Sequence, residues 1–239
     1  MAVIDQPVRQ RAAEVANGRV PLLINGDRLT RAEFERRYEA MPNLKLAELI
    51  EGVVYVGSPV SVIHGQPHGC VIGWIAAYRA ATPGTQFADN TTARLDPDNE
   101  YQPDVVLRID ERAGGQSHLS EEGYVDGPPE LVDEVAVSSA SIDRHTKLNV
   151  YRRTGVREYV LWQVLDKRLD WFELRDELYI PIEPDAHGVI ESRIFPGLRL
   201  NIPALLDDNL ATVLAELQRG VASPEHKQFA ETLAARLRG

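Results

Sequence analysis

LVDEVAVSSASIDRHTKLNVYRRTGVREYVLWQVL, residues 131–165, reads as strand, helix, strand. Residues 131–137 are rich in valine, the composition of a buried strand. The hydroxyls of Ser138 to Ser141 offer a helix cap, and the helix runs to about Thr154. Gly155 stops it, because glycine tolerates the left-handed conformation that ends helices. Residues 157–165 then return as a strand rich in Val, Tyr and Trp. Such interleaving puts the chain in the α/β or α+β class, with a mixed sheet flanked by helices.

Working upstream, Pro103-Asp104-Val105-Val106-Leu107-Arg108-Ile109 is a strand opened by a proline and an aspartate. Residues 110–130, rich in Gly, Ser, Glu and Pro, read as a long exposed loop. Short strands are expected over 85–88 and 91–95. A buried helix is expected over 68–81, with Val71, Ile72, Ile75 and Tyr78 on its apolar face and Pro67 as its boundary. Glu51-Gly52 marks the turn of a hairpin within 45–57. Thr30-Arg31-Ala32-Glu33 has capping-box spacing for a short helix that ends before Pro42. Downstream, 169–174 and 177–180 form a meander. Beyond Pro196-Gly197 come helices 203–219 and 224–237, the second opened by Ser223-Pro224-Glu225. The expected division is an arm and short helix over 1–43, a main domain over 44–200 and a C-terminal helical extension over 201–239.

Composition narrows the function classes. At 239 residues and 44% hydrophobic, the chain can bury a sizeable core. Its longest apolar run, 70–78, is well short of the roughly 20 residues that span a bilayer. No basic segment precedes an apolar one at the N-terminus, and a single cysteine forms neither an internal disulfide nor a cysteine zinc site. These features predict a soluble cytoplasmic protein without a membrane partner. The net charge of -10 excludes a uniformly basic nucleic-acid coat. Residues 139–168 nevertheless hold seven Arg and Lys against three acids, a local footprint for phosphates or an ordinary amphipathic helix.

Several residues are anomalous for a purely structural sequence. Glu134 lies mid-strand among valines, where an ionised carboxylate is costly without a partner. Strand alternation sends Asp133 to the other face, so one of the two is expected inward and the other outward. An edge strand with both groups hydrated is the competing reading. Asp104 at a strand start, converging with Glu134, would suit a hard cation such as Mg²⁺. Lys147 on the following helix could assist deprotonation of water, or simply pair with Asp143 four residues earlier on a solvated face. Glu48, in the first hairpin, either flanks the turn or extends the carboxylate cluster. His64 and His68 have the spacing of helix-borne metal ligands, but Gly65 and Pro67 between them argue against a continuous helix and so against a two-histidine site. His68 is placed instead at the mouth of the site.

Taken in order, Glu48-Leu49-Ile50-Glu51-Gly52, Ser58-Pro59, the His64/His68 region, Pro103-Asp104, Glu130-Leu131-Val132-Asp133-Glu134-Val135, Ser138-Ser139-Ala140-Ser141, Lys147, Tyr151 and Gly155-Val156-Arg157-Glu158-Tyr159 resemble the Uma-two family. That family is assigned to restriction endonucleases within the PD-(D/E)XK nuclease superfamily. The resemblance spans about residues 48–162. It implies a restriction-endonuclease-like core and a Mg²⁺ site, with Mn²⁺ as a substitute, held by Asp104 and Glu134. Position 136 is alanine where the superfamily lysine usually stands, so the resemblance makes Lys147 the catalytic lysine, moved to the next helix. Glu48 matches the acid of the first hairpin. Glu51 departs from the aspartate common before that glycine.

The implied reaction is hydrolysis of DNA phosphodiester bonds, with His68, Arg144, Arg152 and Arg153 meeting the substrate. Binding to DNA should be weak, salt-sensitive and metal-dependent, and a homodimer would suit cleavage of two strands. Two alternatives stay open. One is a non-catalytic nuclease-fold protein that binds nucleic acid or a protein; the other is a phosphodiesterase acting on RNA or small nucleotides.

Overall fold

The structure, a computed structural model, describes residues 20–57, 61–137 and 143–238, the side chains of Asp143 and Arg144 excepted. The chain divides into two compact units, Met1–Pro59 with Asp96–Gln102, and Val60–Leu95 with Pro103–Gly239. Among the described residues no helix is long and apolar enough to cross a membrane.

The first unit holds α1 (Arg31–Glu39), β1 (Ala47–Ile50), β2 (Val53–Val56) and, later in the chain, β5 (Asn99–Tyr101). Thr30 caps α1 by accepting the Glu33 N–H at 3.4 Å. The Glu33 carboxylate does not reach back; it binds Arg36 and Arg37 instead. The β1–β2 hairpin turns at Glu51 and Gly52, with φ of 52° and 70°. Two left-handed residues match the twist of the flanking strands. Leu23, Phe34, Ala47, Leu49 and Val54 form this unit's core.

The second unit opens with α2 (Val62–Ala81), β3 (Thr85–Asp89) and β4 (Ala93–Asp96), the last residue of which falls in the first unit. It resumes with β6 (Val105–Ile109), β7 (His118–Leu119), β8 (Val125–Asp126) and β9 (Leu131–Ala136). A turn of π geometry over Asp143–Lys147 runs into α3 (Leu148–Thr154). Gly155, at φ 94°, ends that helix. There follow β10 (Glu158–Gln163), β11 (Arg168–Arg175), β12 (Leu178–Pro181), β13 (Val189–Glu191), β14 (Arg199–Asn201), α4 (Ile202–Leu206), α5 (Leu210–Val221) and α6 (Pro224–Arg238).

The main sheet of this unit has the order β12-β11-β10-β9-β6-β3, with β9 and β10 parallel and every other pair antiparallel. The chain is therefore a mixed α/β protein, as the sequence predicts. Leu131, Val135, Val160 and Trp162 point to the face where Val71, Trp74 and Ile75 of α2 and helices α4 to α6 pack. Trp74 meets Trp171 edge-on, with ring centroids 5.7 Å apart. Each such aromatic buries about 150–250 Å², so this layer dominates the apolar stabilisation of the unit. Tyr151 on α3 meets Tyr159 of β10 on the opposite face, at 5.1 Å between rings.

Four expectations need correcting. The helix expected to begin after Pro67 begins at Val62 and runs through the proline. Pro67 costs the bond to the Ile63 carbonyl, but Gln66 ties the turn to Asp208 at 2.6 Å, and His64 and His68 tie it to Asp104. Residues 110–130 are not simply an exposed loop. They carry β7 and β8, and the buried Glu130 carboxylate accepts the N–H groups of Ile109 and Gln116 at 2.8 and 2.9 Å. Asp133 and Glu134 do not divide between core and solvent. β9 lies inside a sheet covered on both faces, so both are buried and the edge-strand reading fails. The helix expected over 203–219 is two, α4 and α5, joined at Asp207 to Asn209. The proposed cap at Ser138 to Ser141 lies outside the described residues.

Candidate active site

Asp104 stands one residue before β6, whose register pairs Val105 with Asp133 and Val106 with Val132. One further step of that register sets Asp104 across from Glu134. The backbone agrees, because the Val135 N–H donates to Asp104 Oδ2 at 2.7 Å. Asp104 and Glu134 thus occupy the same end of two neighbouring strands.

Two histidines of α2 close on Asp104. His64 Nε2 lies 3.1 Å from its Oδ1, and His68 Nε2 lies 2.9 Å from its backbone carbonyl. Burial pushes the Asp104 carboxyl upward, but the hydrogen bonds from His64 and the Val135 N–H, with the charges of both imidazoles, outweigh it and hold the carboxyl below its ordinary range. His68 is buried, and its Nε2 holds the Asp104 main chain. The four-residue spacing of His64 and His68 is visible in the sequence, and only the apparent helix break at Gly65 and Pro67 argues against it; the helix runs through both.

Glu134 is met from the other side. Lys147 Nζ lies 3.0 Å from Glu134 Oε1, and the Tyr151 hydroxyl donates to the same oxygen at 2.7 Å. Lys147 is 4% exposed, so it is not part of a solvated helix face. Tyr151, four residues on, shares the helix face of Lys147. That spacing was the sequence signal for Tyr151, which was not singled out for the site.

Asp133 completes the group. It is 1% exposed, and neither carboxylate oxygen has a hydrogen-bond partner among the described residues. Burial, then the nearby Asp104 charge, pushes its carboxyl well above the ordinary value. A buried carboxyl left without a donor is costly, and the nearby Asp104 charge adds to that cost.

The remaining expected residues are placed as follows. Glu48 lies in the first unit, half-buried on β1, where its Oε1 accepts the Gln102 N–H at 3.0 Å. Arg152 and Arg153 sit in the last turn of α3. Arg152 donates to the Glu177 carbonyl at 2.7 Å, and Arg153 is exposed. The Arg144 side chain lies outside the described residues.

Comparison with known proteins agrees with this fold. The family model Uma2, described as "Putative restriction endonuclease", matches residues 31–203. The chain is similar to a crystal structure titled as that of a putative nuclease belonging to DUF820 from Anabaena variabilis ATCC 29413. The TM-score is 0.54 at 14% identity, covering 72% of this chain and 96% of that one. A search of curated proteins gave no match.

Proposed function

The chain belongs to the Uma2 family, and from that premise we propose that it is a metal-dependent endonuclease hydrolysing DNA phosphodiester bonds, with Asp104, Glu134 and Lys147 as its catalytic residues. The observation that carries this reading is the buried contact of Lys147 Nζ with Glu134 Oε1 at 3.0 Å, at the strand end that Asp104 shares. A lysine and a glutamate hidden together inside a fold bring a desolvation cost that ordinary packing does not require. Chemistry at that point accounts for them.

Asp104 and Glu134 would hold Mg²⁺, or Mn²⁺ in its place. When bound, such a cation supplies Lewis-acid stabilisation of charge on a phosphate and acidifies water. The protein's own groups do the rest. Tyr151 fixes the Glu134 carboxylate. Lys147, held by that carboxylate, is positioned to take or give a proton and to offset negative charge developing on the phosphate. His64 and His68 hold Asp104 in place. Arg153, exposed on the last turn of α3, and its neighbour Arg152 supply positive charge for the nucleic-acid backbone. The active form is a homodimer acting in the cytoplasm.

The test is incubation of the protein with plasmid and single-stranded DNA in Mg²⁺ or Mn²⁺, beside Asp104→Ala and Glu134→Gln proteins. Metal-dependent cleavage that both substitutions abolish is the expected result. Cleavage unchanged by either substitution removes the proposed site. Cleavage of RNA alone moves the substrate class.

A further inference from the structure

We infer that His64, His68 and Asp104 together bind one divalent transition-metal ion, of the class that accepts imidazole nitrogen alongside carboxylate oxygen. This deepens the reading above and rests on it, because Asp104 belongs to both. The cation associated with Asp104 is then better served by Mn²⁺, Co²⁺, Ni²⁺ or Zn²⁺ than by Mg²⁺.

The geometry supports this in three ways. One ligand atom from each of the three residues lies within 4.8 Å of the other two. The 3.1 Å between His64 Nε2 and Asp104 Oδ1 is the spacing of neighbouring ligands on one ion, about 3.0–3.4 Å for bonds of about 2.1 Å. The two imidazoles stand one turn apart on α2, with ring centroids 5.5 Å apart, so a single rigid helix presents both.

Asp133 is an independent observation. It is buried, lacks any hydrogen bond among the described residues, and interacts electrostatically with Asp104. A buried carboxyl near Asp104 with no hydrogen-bond donor is costly, and a divalent ion within reach of its oxygens relieves that cost. Ligand type then selects the ion. Mg²⁺ takes oxygen ligands and keeps its waters, whereas imidazole suits later first-row metals. The competing account is that both imidazoles only clamp Asp104, since His68 Nε2 already meets the Asp104 carbonyl. Ligation through that nitrogen exchanges the carbonyl contact for the ion.

The experiment uses the tag-free full chain, stripped of metal and without nucleic acid. Calorimetric titration with Zn²⁺, Ni²⁺, Mn²⁺ and Mg²⁺ should show one transition-metal ion bound at least tenfold more tightly than Mg²⁺. His64→Gln and His68→Gln should each weaken Ni²⁺ or Zn²⁺ binding at least tenfold, and Asp104→Asn should do so too. Spin-echo spectroscopy of the Mn²⁺-loaded wild type should show coupling to imidazole nitrogen, a readout that needs no variant to fold. Absence of nitrogen coupling overturns the inference. Wild-type Ni²⁺ affinity in both histidine variants overturns it as well. In that second case, loss of binding in Asp104→Asn leaves the carboxylate reading standing, whereas unchanged binding there, with no cleavage in any metal, removes both.

Discussion

Lys147 Nζ lies 3.0 Å from Glu134 Oε1, with both side chains 5% exposed. The Tyr151 hydroxyl donates to the same oxygen at 2.7 Å. A strand and the helix that follows it are thus joined through one carboxylate oxygen. An ion pair hidden this way is weak evidence of stability but strong evidence of constraint, because removing one partner strands the other in a poor solvent.

Lys147→Met should lower the rate of DNA cleavage about 10²- to 10⁴-fold, the range for a positioned proton-transfer group. It should also destabilise the fold by about 3–5 kcal/mol, because Glu134 is left buried without its partner. The double substitution Lys147→Met with Glu134→Gln should recover much of that stability and none of the rate. Denaturant titration beside a plasmid assay separates the two effects. A Lys147→Met protein cutting at wild-type rate would falsify the catalytic role of the lysine.

Tyr151→Phe removes a single hydrogen bond and keeps the ring against Tyr159. Its cost in stability should be about 1 kcal/mol. If Tyr151 positions Glu134, kcat should fall about tenfold while KM for DNA stays within twofold, since no contact with substrate is lost. An unchanged kcat, with the same stability loss, would reduce Tyr151 to a packing residue.

The sequence made Glu134 visible and left its environment hidden. A carboxylate among valines is an anomaly that any strand pattern exposes, and Asp104 after a proline marks a strand start. Lys147 read from spacing alone pairs with Asp143 on a wet surface. The structure turns it inward, after a π turn over Asp143–Lys147 that no α-helical period anticipates. His64 was lost in a similar way, because Pro67 looks like a helix boundary until tertiary contacts to Asp104 and Asp208 hold the helix through it. Glu130 and Glu158 were illegible for another reason. Each satisfies backbone N–H groups distant in sequence, and such an anchor leaves no periodic trace. The β13–β14 pair is only three residues per strand, too short to show alternation.

Asp133→Val should stabilise the protein. Its strand neighbours in register are Val105 and Val160, so valine continues an existing apolar row. The substitution removes a buried carboxyl that has no hydrogen bond among the described residues. A gain of about 1–3 kcal/mol is expected, equivalent to a rise in Tm of about 2–12 °C for a chain of this size. If Asp133 contributes to holding a cation, the same variant binds divalent metal more weakly. A lower Tm in the metal-free protein would show that Asp133 has a stabilising partner after all.

Glu158 gives the clearest pH dependence. Its carboxylate accepts from Ser192 Oγ at 2.7 Å, Trp171 Nε1 at 3.2 Å, and the N–H groups of Arg193 and Ile194 at 2.6 and 3.2 Å. Burial nevertheless dominates those donors and raises its pKa from 4.5 to about 7. Between these values the folded chain holds a proton that the unfolded chain has released, so stability falls as pH rises from about 4.5 to 7. Asp133, also raised, acts in the same direction. Carboxyls held low, such as Glu33 at about 2 and Asp104, lose their contribution only as pH falls below the ordinary carboxylate range. His226, lowered chiefly by burial, opposes the trend near its ordinary 6.5. Comparison with Glu158→Gln isolates the glutamate. From pH 5 to 8 the wild type should lose about 2–3 kcal/mol relative to the variant, whatever constant offset the substitution adds. Urea midpoints at half-unit steps of pH provide the measurement, and parallel curves for the two proteins would mean that Glu158 stays ionised throughout.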